Sequence, residues 1–141
     1  MELHDRSFAE LTARELYEIV RLRVDVFVVE QGCPYAELDG RDHEPDARHI
    51  WVADEHGPVS YLRLLPELDD ATTIGRVVTR ADQRGNRRSE PLVEHALATS
   101  AGPHLINAQS RLQGWYERLG FSLAGEEFME DGIAHVPMRR G

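Results

Sequence analysis

The 141 residues suffice for one hydrophobic core and not for two, and 41% apolar with 29% charged residues is a globular composition. A net charge of −9 argues against nonspecific nucleic-acid binding, which needs a clustered positive surface. Short apolar stretches and the charged start Met1-Glu2-Leu3-His4-Asp5 lack the material of a membrane span or a secretory signal. The expectation is a cytoplasmic protein with a single domain over residues 1–141 and no membrane partner. The one cysteine, Cys33, cannot form an internal disulfide and reads as a small buried hydrophobe. All sixteen basic residues are arginines, and the acidic balance suits cationic partners such as amines as well as it suits solubility.

In chain order, a helix is predicted over Ala13 to Val28. Thr12 and Glu15 form a capping box, Leu11 and Leu16 stand as a hydrophobic staple, and Leu16, Ile19, Val20, Val24 and Phe27 make an apolar stripe. Gly32, Pro34 and a polar stretch through Arg48 then form a long acidic loop. His49 to Asp54, Val59 to Leu65 and Thr72 to Thr79 are rich in β-branched and aromatic residues and read as an antiparallel meander. A second helix, Glu90 to Ser100, has Ser89 as its cap and Pro91 in its first turn. Because that helix joins Thr72–Thr79 to the short apolar strand Leu105 to Ala108, the two strands should be parallel. A third helix, Leu112 to Leu119, stops at Gly120. Phe121 to Glu127 and Ile133 to Arg139 read as a hairpin around Asp131-Gly132. The predicted architecture is a mixed α/β sheet with helices on its faces, and an exposed edge near the last hairpin would suit a homodimer.

Chemistry concentrates where Thr72–Thr79 gives way to the second helix. A strand, a turn carrying Arg84, Gly85, Asn86, Arg87, Arg88 and Ser89, and a helix start aim backbone N–H groups and a helix dipole at one place, an arrangement suited to a pyrophosphate and equally compatible with a plain polar loop. This segment resembles the phosphate loop of the GNAT superfamily, Arg/Gln-x-x-Gly-x-Gly/Ala, with Arg87 and Ser89 at two of its small-residue positions. Gln109 to Phe121 resembles the family's late strand-to-helix segment, with Tyr116 four residues before Gly120. Arg21 to Gln31, Cys33-Pro34-Tyr35, Asp39, Asp42, His49, Ile74 to Val78 and Glu130 to Met138 resemble the ElaA-like branch, so the likeness spans almost the whole chain.

The resemblance implies a GNAT-like fold with a central, mostly antiparallel twisted sheet of six to seven strands. It also implies transfer of an acetyl group from acetyl-CoA, as co-substrate and without metal, to a primary amine of a small molecule or peptide. Tyr116 is then the acid that protonates the departing thiolate. Val77 or Val78 supplies a backbone N–H to the thioester carbonyl, residues 84–89 and Gln109 hold the coenzyme, and Glu30 and Gln31 lie toward the acceptor. The residue that takes the proton from the amine stays open among Glu30, His49 and His135, with His135 also a candidate for contacting substrate. Arg76 could bind a substrate carboxylate or a structural acid such as Asp39 or Asp42. The acidic residues Glu37, Asp39, Asp42, His43 and Glu44 match no calcium or zinc spacing. The altered phosphate loop leaves a second reading, a non-catalytic acyl-CoA sensor.

Overall fold

The computed structural model describes residues 1–141. Its first strand, β1 (Leu3–Ser7), is followed by helix α1 (Ala13–Val24) and a π-helical turn over Asp25–Glu30. Strands β2 (Arg48–Asp54), β3 (Gly57–Pro66) and β4 (Thr72–Thr79) form a meander. Helix α2 (Glu90–Thr99) crosses to β5 (His104–Gln109), helix α3 (Gln113–Arg118) follows, and β6 (Ser122–Leu123), β7 (Phe128–Glu130) and β8 (Ile133–Arg140) complete the chain. The strands make one sheet in the order β1-β2-β3-β4-β5-β8-β6, with β7 also on β8. All pairings are antiparallel except β4 with β5. This is the mixed α/β fold expected, with eight strands in place of six or seven. No helix is long and apolar enough to cross a membrane.

The start of α1 is specified locally. The Thr12 hydroxyl accepts from the Glu15 N–H at 3.0 Å and the Glu15 carboxylate accepts from the Thr12 N–H at 2.9 Å, so two N–H groups at the helix start are satisfied. The regular helix stops at Val24, short of the predicted Val28, and widens into the π turn, where the Gln31 N–H bonds the Val26 carbonyl five residues back. Four valines among residues 24–29 are stiff, poorly helical side chains there, and the widened turn places Val26, Phe27, Glu30 and Gln31 on a cleft.

Strand β1 was absent from the sequence expectation. Its residues alternate no apolar face; it is held instead by pairing to β2 and by Asp5, which accepts from both Arg48 and His95. The final hairpin also differs. Ser122–Leu123 alone pairs from the first half, residues 124–127 are exposed, and the strand that meets β8 begins at Phe128. Its turn is where expected, with Asp131 and Gly132 both at positive φ (52° and 76°), the pattern whose twist matches paired strands. Ser89 precedes α2 but does not cap it: its hydroxyl is hydrogen-bonded to Thr79 at 2.7 Å and Ser60 at 3.0 Å.

The two faces of the sheet are covered differently. Helices α2 and α3 close one over a cluster of 15 buried apolar residues, among them Ile50, Leu62, Ile74, Leu92, Tyr116 and Met138. On the other face α1 and the π turn pack Ile19, Leu22 and Val26 on Trp51, Tyr61 and Val78, a cluster of 6. Beside that smaller cluster lies a buried ionic network. Arg23, 0% exposed, donates to Glu37 at 2.7 Å and to Asp42 at 2.6 Å; Arg63 donates to Asp39 at 2.8 Å and Asp42 at 3.1 Å. Three acids of the 37–44 loop are therefore neutralised by arginines.

Candidate active site

A cleft of about 680 Å³ opens where β4 and β5 part. The strands pair only at Thr72 with His104 and Thr73 with Leu105, after which both continue, to Thr79 and Gln109, without pairing. The residues past that point on both strands, Ile74 to Thr79 and Ile106 to Gln109, line the opening. On the other side of β4 the register to β3 slips between Tyr61–Val78 and Arg63–Gly75, so that Arg76 and Val77 together oppose Leu62 in a β-bulge. Arg76 sits there at φ 55°, a left-handed conformation that side chains rarely adopt. It is held by an ion pair of 2.7 Å to the Glu37 carboxylate, by donation to the Glu37 carbonyl at 3.0 Å and by Asp39 at 3.4 Å. Its charge is thus matched by structural acids and is not free for a substrate carboxylate. Val77 and Val78 follow on the bulged strand and line the cleft.

Residues 84–89 stand at one end of the opening. Arg84 and Ser89 are among its lining residues, while Gly85, Asn86, Arg87 and Arg88 lie beyond them. Gly85 (φ 84°) and Arg87 (φ 54°) are both left-handed, so Arg87 stands strained at a position where the family motif has glycine. The Nε of Arg88 is buried with no partner, and no side chain caps α2. An orphaned cationic donor and an uncapped helix start fit the phosphates of coenzyme A. Arg84 is already engaged: it donates twice to Glu30, at 2.6 and 2.9 Å, and this pairing holds the Glu30 carboxyl below its ordinary range.

Tyr116 is 2% exposed yet lines the cleft, wedged edge-on between Trp115 and Phe121. Burial pushes its phenol up, with no hydrogen bond or charge contributing. The sealed side-chain atoms lacking a hydrogen bond are all arginine Nε atoms, so the Tyr116 hydroxyl, which also lacks one, is not shut in. A phenol so placed stays protonated and keeps its hydrogen bond for a ligand.

Gln31, Gln109 and His135 line one wall of the cleft together. The Gln109 amide donates to the Gln31 side-chain oxygen at 3.3 Å, and Gln109 faces His135 across the β5–β8 ladder. His49, expected among the catalytic candidates, is corrected by the structure. It is 0% exposed and outside the cleft, its Nε2 against the Asp42 carbonyl at 2.9 Å and its Nδ1 against the Tyr61 hydroxyl at 2.7 Å. With both ring nitrogens occupied and burial pushing its pKa down, it is a neutral structural histidine.

Arg63 and Arg111, which also line the cleft, were missed from sequence. A signal existed for Arg63, since a lone arginine within the apolar run Val59–Leu65 requires a buried partner. Arg111, exposed and near Glu30, carried none.

Comparison with known proteins places this geometry. A family model described as an acetyltransferase (GNAT) domain matches residues 13–140. A UPF0039 protein of Mycobacterium tuberculosis is 47% identical over 136 residues, covering 93% of this chain and 87% of that protein. Escherichia coli ElaA is 39% identical over 149 residues, covering 99% and 96%, and its crystal structure matches over the full length of both chains with a TM-score of 0.92 and 35% identity. The crystal structure of an acyl-CoA N-acyltransferase from Pseudomonas aeruginosa matches equally fully, with a TM-score of 0.91 and 38% identity. The splayed parallel strands, the bulge and the turn into α2 are thus the frame of a GNAT acetyltransferase domain, and the chain belongs to that family, in its ElaA-like branch.

Proposed function

We propose that the protein transfers an acetyl group from acetyl-CoA to a primary amine of a small molecule or peptide, by direct attack of the amine on the thioester. The observation that carries this reading is the gap between β4 and β5, which has the anion-suited turn at one end and a free phenol on its wall. In this reading the N–H groups of residues 84–89 and the Arg88 guanidinium bind the diphosphate, and Gln109 contacts the pantetheine arm. The bulge at Arg76 and Val77 turns a backbone N–H, of Val77 or Val78, toward the thioester oxygen, where negative charge develops. Glu30 and Gln31 border the acceptor. As the C–S bond breaks its electron pair goes to sulfur, and the Tyr116 hydroxyl protonates the thiolate. The thiolate of a thiol with pKa about 8.5 is a weaker base than a phenolate, so this transfer depends on the two being held together in the transition state.

Turnover of acetyl-CoA with spermidine, kanamycin, benzylamine and lysine-containing peptides tests the reading. Tyr116→Phe should lower kcat about 10²-fold or more with unchanged stability and unchanged coenzyme binding, because the lost hydroxyl has no partner within the chain. Binding of acetyl-CoA without turnover of any amine would make the chain an acyl-CoA sensor instead.

A further inference from the structure

An alkylammonium must lose a proton before it can attack a thioester, and of the three candidates Glu30, His49 and His135 the structure leaves one free. We infer that His135 is the general base, accepting the amine proton at Nε2 on the face of the sheet opposite Tyr116. This assignment rests on the N-acyltransferase reading above. His49 is sealed with both nitrogens bonded. Glu30 is held in a two-pronged pair with Arg84.

His135 differs from both. Its side chain is 11% exposed and lines the cleft. Its Nδ1 lies 2.7 Å from the Ile133 carbonyl; a carbonyl only accepts, so Nδ1 carries the hydrogen and the neutral ring has its lone pair at Nε2. The ring stacks on Phe128 at 5.8 Å, which restrains its orientation. Glu130 Oε2 stands 3.8 Å from Nε2.

Side-chain alternation puts the base and the acid on different faces. Val136 and Met138 of β8 belong with Tyr116 to the cluster under α2 and α3, so His135, next to Val136 and on the alternate face, points to the α1 side, with Gln109 and Gln31. The gap between β4 and β5 joins the two faces. An amine arriving beside His135 and a sulfur leaving beside Tyr116 therefore meet the carbonyl from opposite sides.

The protons balance. His135 Nε2 takes one from the alkylammonium, and the neutral amine adds to the carbonyl carbon. The C–S bond then breaks, and Tyr116 protonates the sulfur. The phenolate recovers its proton from the adduct nitrogen through water, and His135 releases its own to solvent. The sum is alkylammonium plus acetyl-CoA giving amide, coenzyme A and one proton.

His135→Ala, assayed with acetyl-CoA and the best amine of the panel, should lose about 10²- to 10⁴-fold in kcat/KM for the amine. Its affinity for coenzyme A should stay at the wild-type value, and added imidazole should restore part of the rate to this variant but not to Tyr116→Phe. Should His135→Ala fail to fold, His135→Gln, whose amide still donates to the Ile133 carbonyl but accepts no proton, carries the rate test. An undiminished rate, or a loss that imidazole does not restore in a folded His135→Ala, overturns the assignment while leaving a Tyr116-dependent transferase standing. A wild-type protein that acetylates no amine overturns the transferase reading and this assignment together.

Discussion

The face of the sheet under α2 and α3 is hydrocarbon, whereas the face under α1 combines a small apolar cluster with an ionic network of Arg23, Arg63, Arg76, Glu37, Asp39 and Asp42. Non-directional burial supplies stability but tolerates shifts of a side chain. A buried guanidinium bonded to two carboxylates fixes position, and replacing such a network with well-packed hydrocarbon is often neutral or stabilising. The contrast assigns different duties. The hydrocarbon face holds the fold, and the ionic face fixes the long loop and the Arg76 bulge beside the cleft.

The hardest way to break this arrangement is to remove one charge from the ionic face. Arg23→Met keeps most of the stem but leaves Glu37 and Asp42 buried without their cation, and should cost about 3–5 kcal/mol in denaturant unfolding. Leu92→Ala opens a cavity in the hydrocarbon face and should cost about 2–5 kcal/mol, but it should leave the Arg76 bulge, and hence kcat, nearer to wild type than any folded fraction of Arg23→Met. Equal kinetic damage from both would dissolve the division of duties.

Acid sharpens the same contrast, because His49 and the buried carboxylates lie on the ionic face. Burial pushes His49 down, so its folded pKa lies below its unfolded value of about 6.5. Its contribution is complete above that pH and is lost as pH falls toward the folded value. His104, shifted the same way by burial, adds to this step. Burial works against the Asp42 carboxylate, but Arg23 and Arg63 outweigh it and hold Asp42 below its ordinary range. Its contribution is complete above about pH 3.9 and is lost below it. Thermal unfolding followed against pH should show Tm falling first below about pH 6.5 and again below about pH 4, with the first step reduced in His49→Gln. A level Tm through about pH 6 contradicts the burial of a neutral His49.

The smallest effect concerns the turn at residues 84–89, where Arg87 sits at φ 54°. Arg87→Gly removes a left-handed strain of about 1 kcal/mol, offset in part by the greater freedom of an unfolded glycine. A gain in stability below about 1 kcal/mol is expected from chemical denaturation, and a loss would mean that the Arg87 side chain holds the turn.

What the sequence disclosed follows the range of the interactions. The Thr12–Glu15 box, the Asp131-Gly132 turn, the parallel β4–β5 pair and the family frame were legible because adjacent residues or a motif carry them. Strand β1 was not, because Leu3–Ser7 owes its conformation to partners at Arg48 and His95. Arg23 falls four residues after Ile19, on the apolar stripe of α1, and its acids come 14 and 19 residues later, so the buried network required the fold to become visible. His49 looked like a possible base for the same reason: only the folded chain brings Tyr61 and the Asp42 carbonyl to its two nitrogens.

Titration calorimetry of the protein with coenzyme A tests the central claim most directly, that the parted strands and the turn at residues 84–89 form a coenzyme site. The account predicts saturable binding of one coenzyme per chain, weakened by Arg88→Ala and unchanged by Tyr116→Phe. An absence of binding heat at several temperatures, with no rise in Tm on adding coenzyme A, would contradict it.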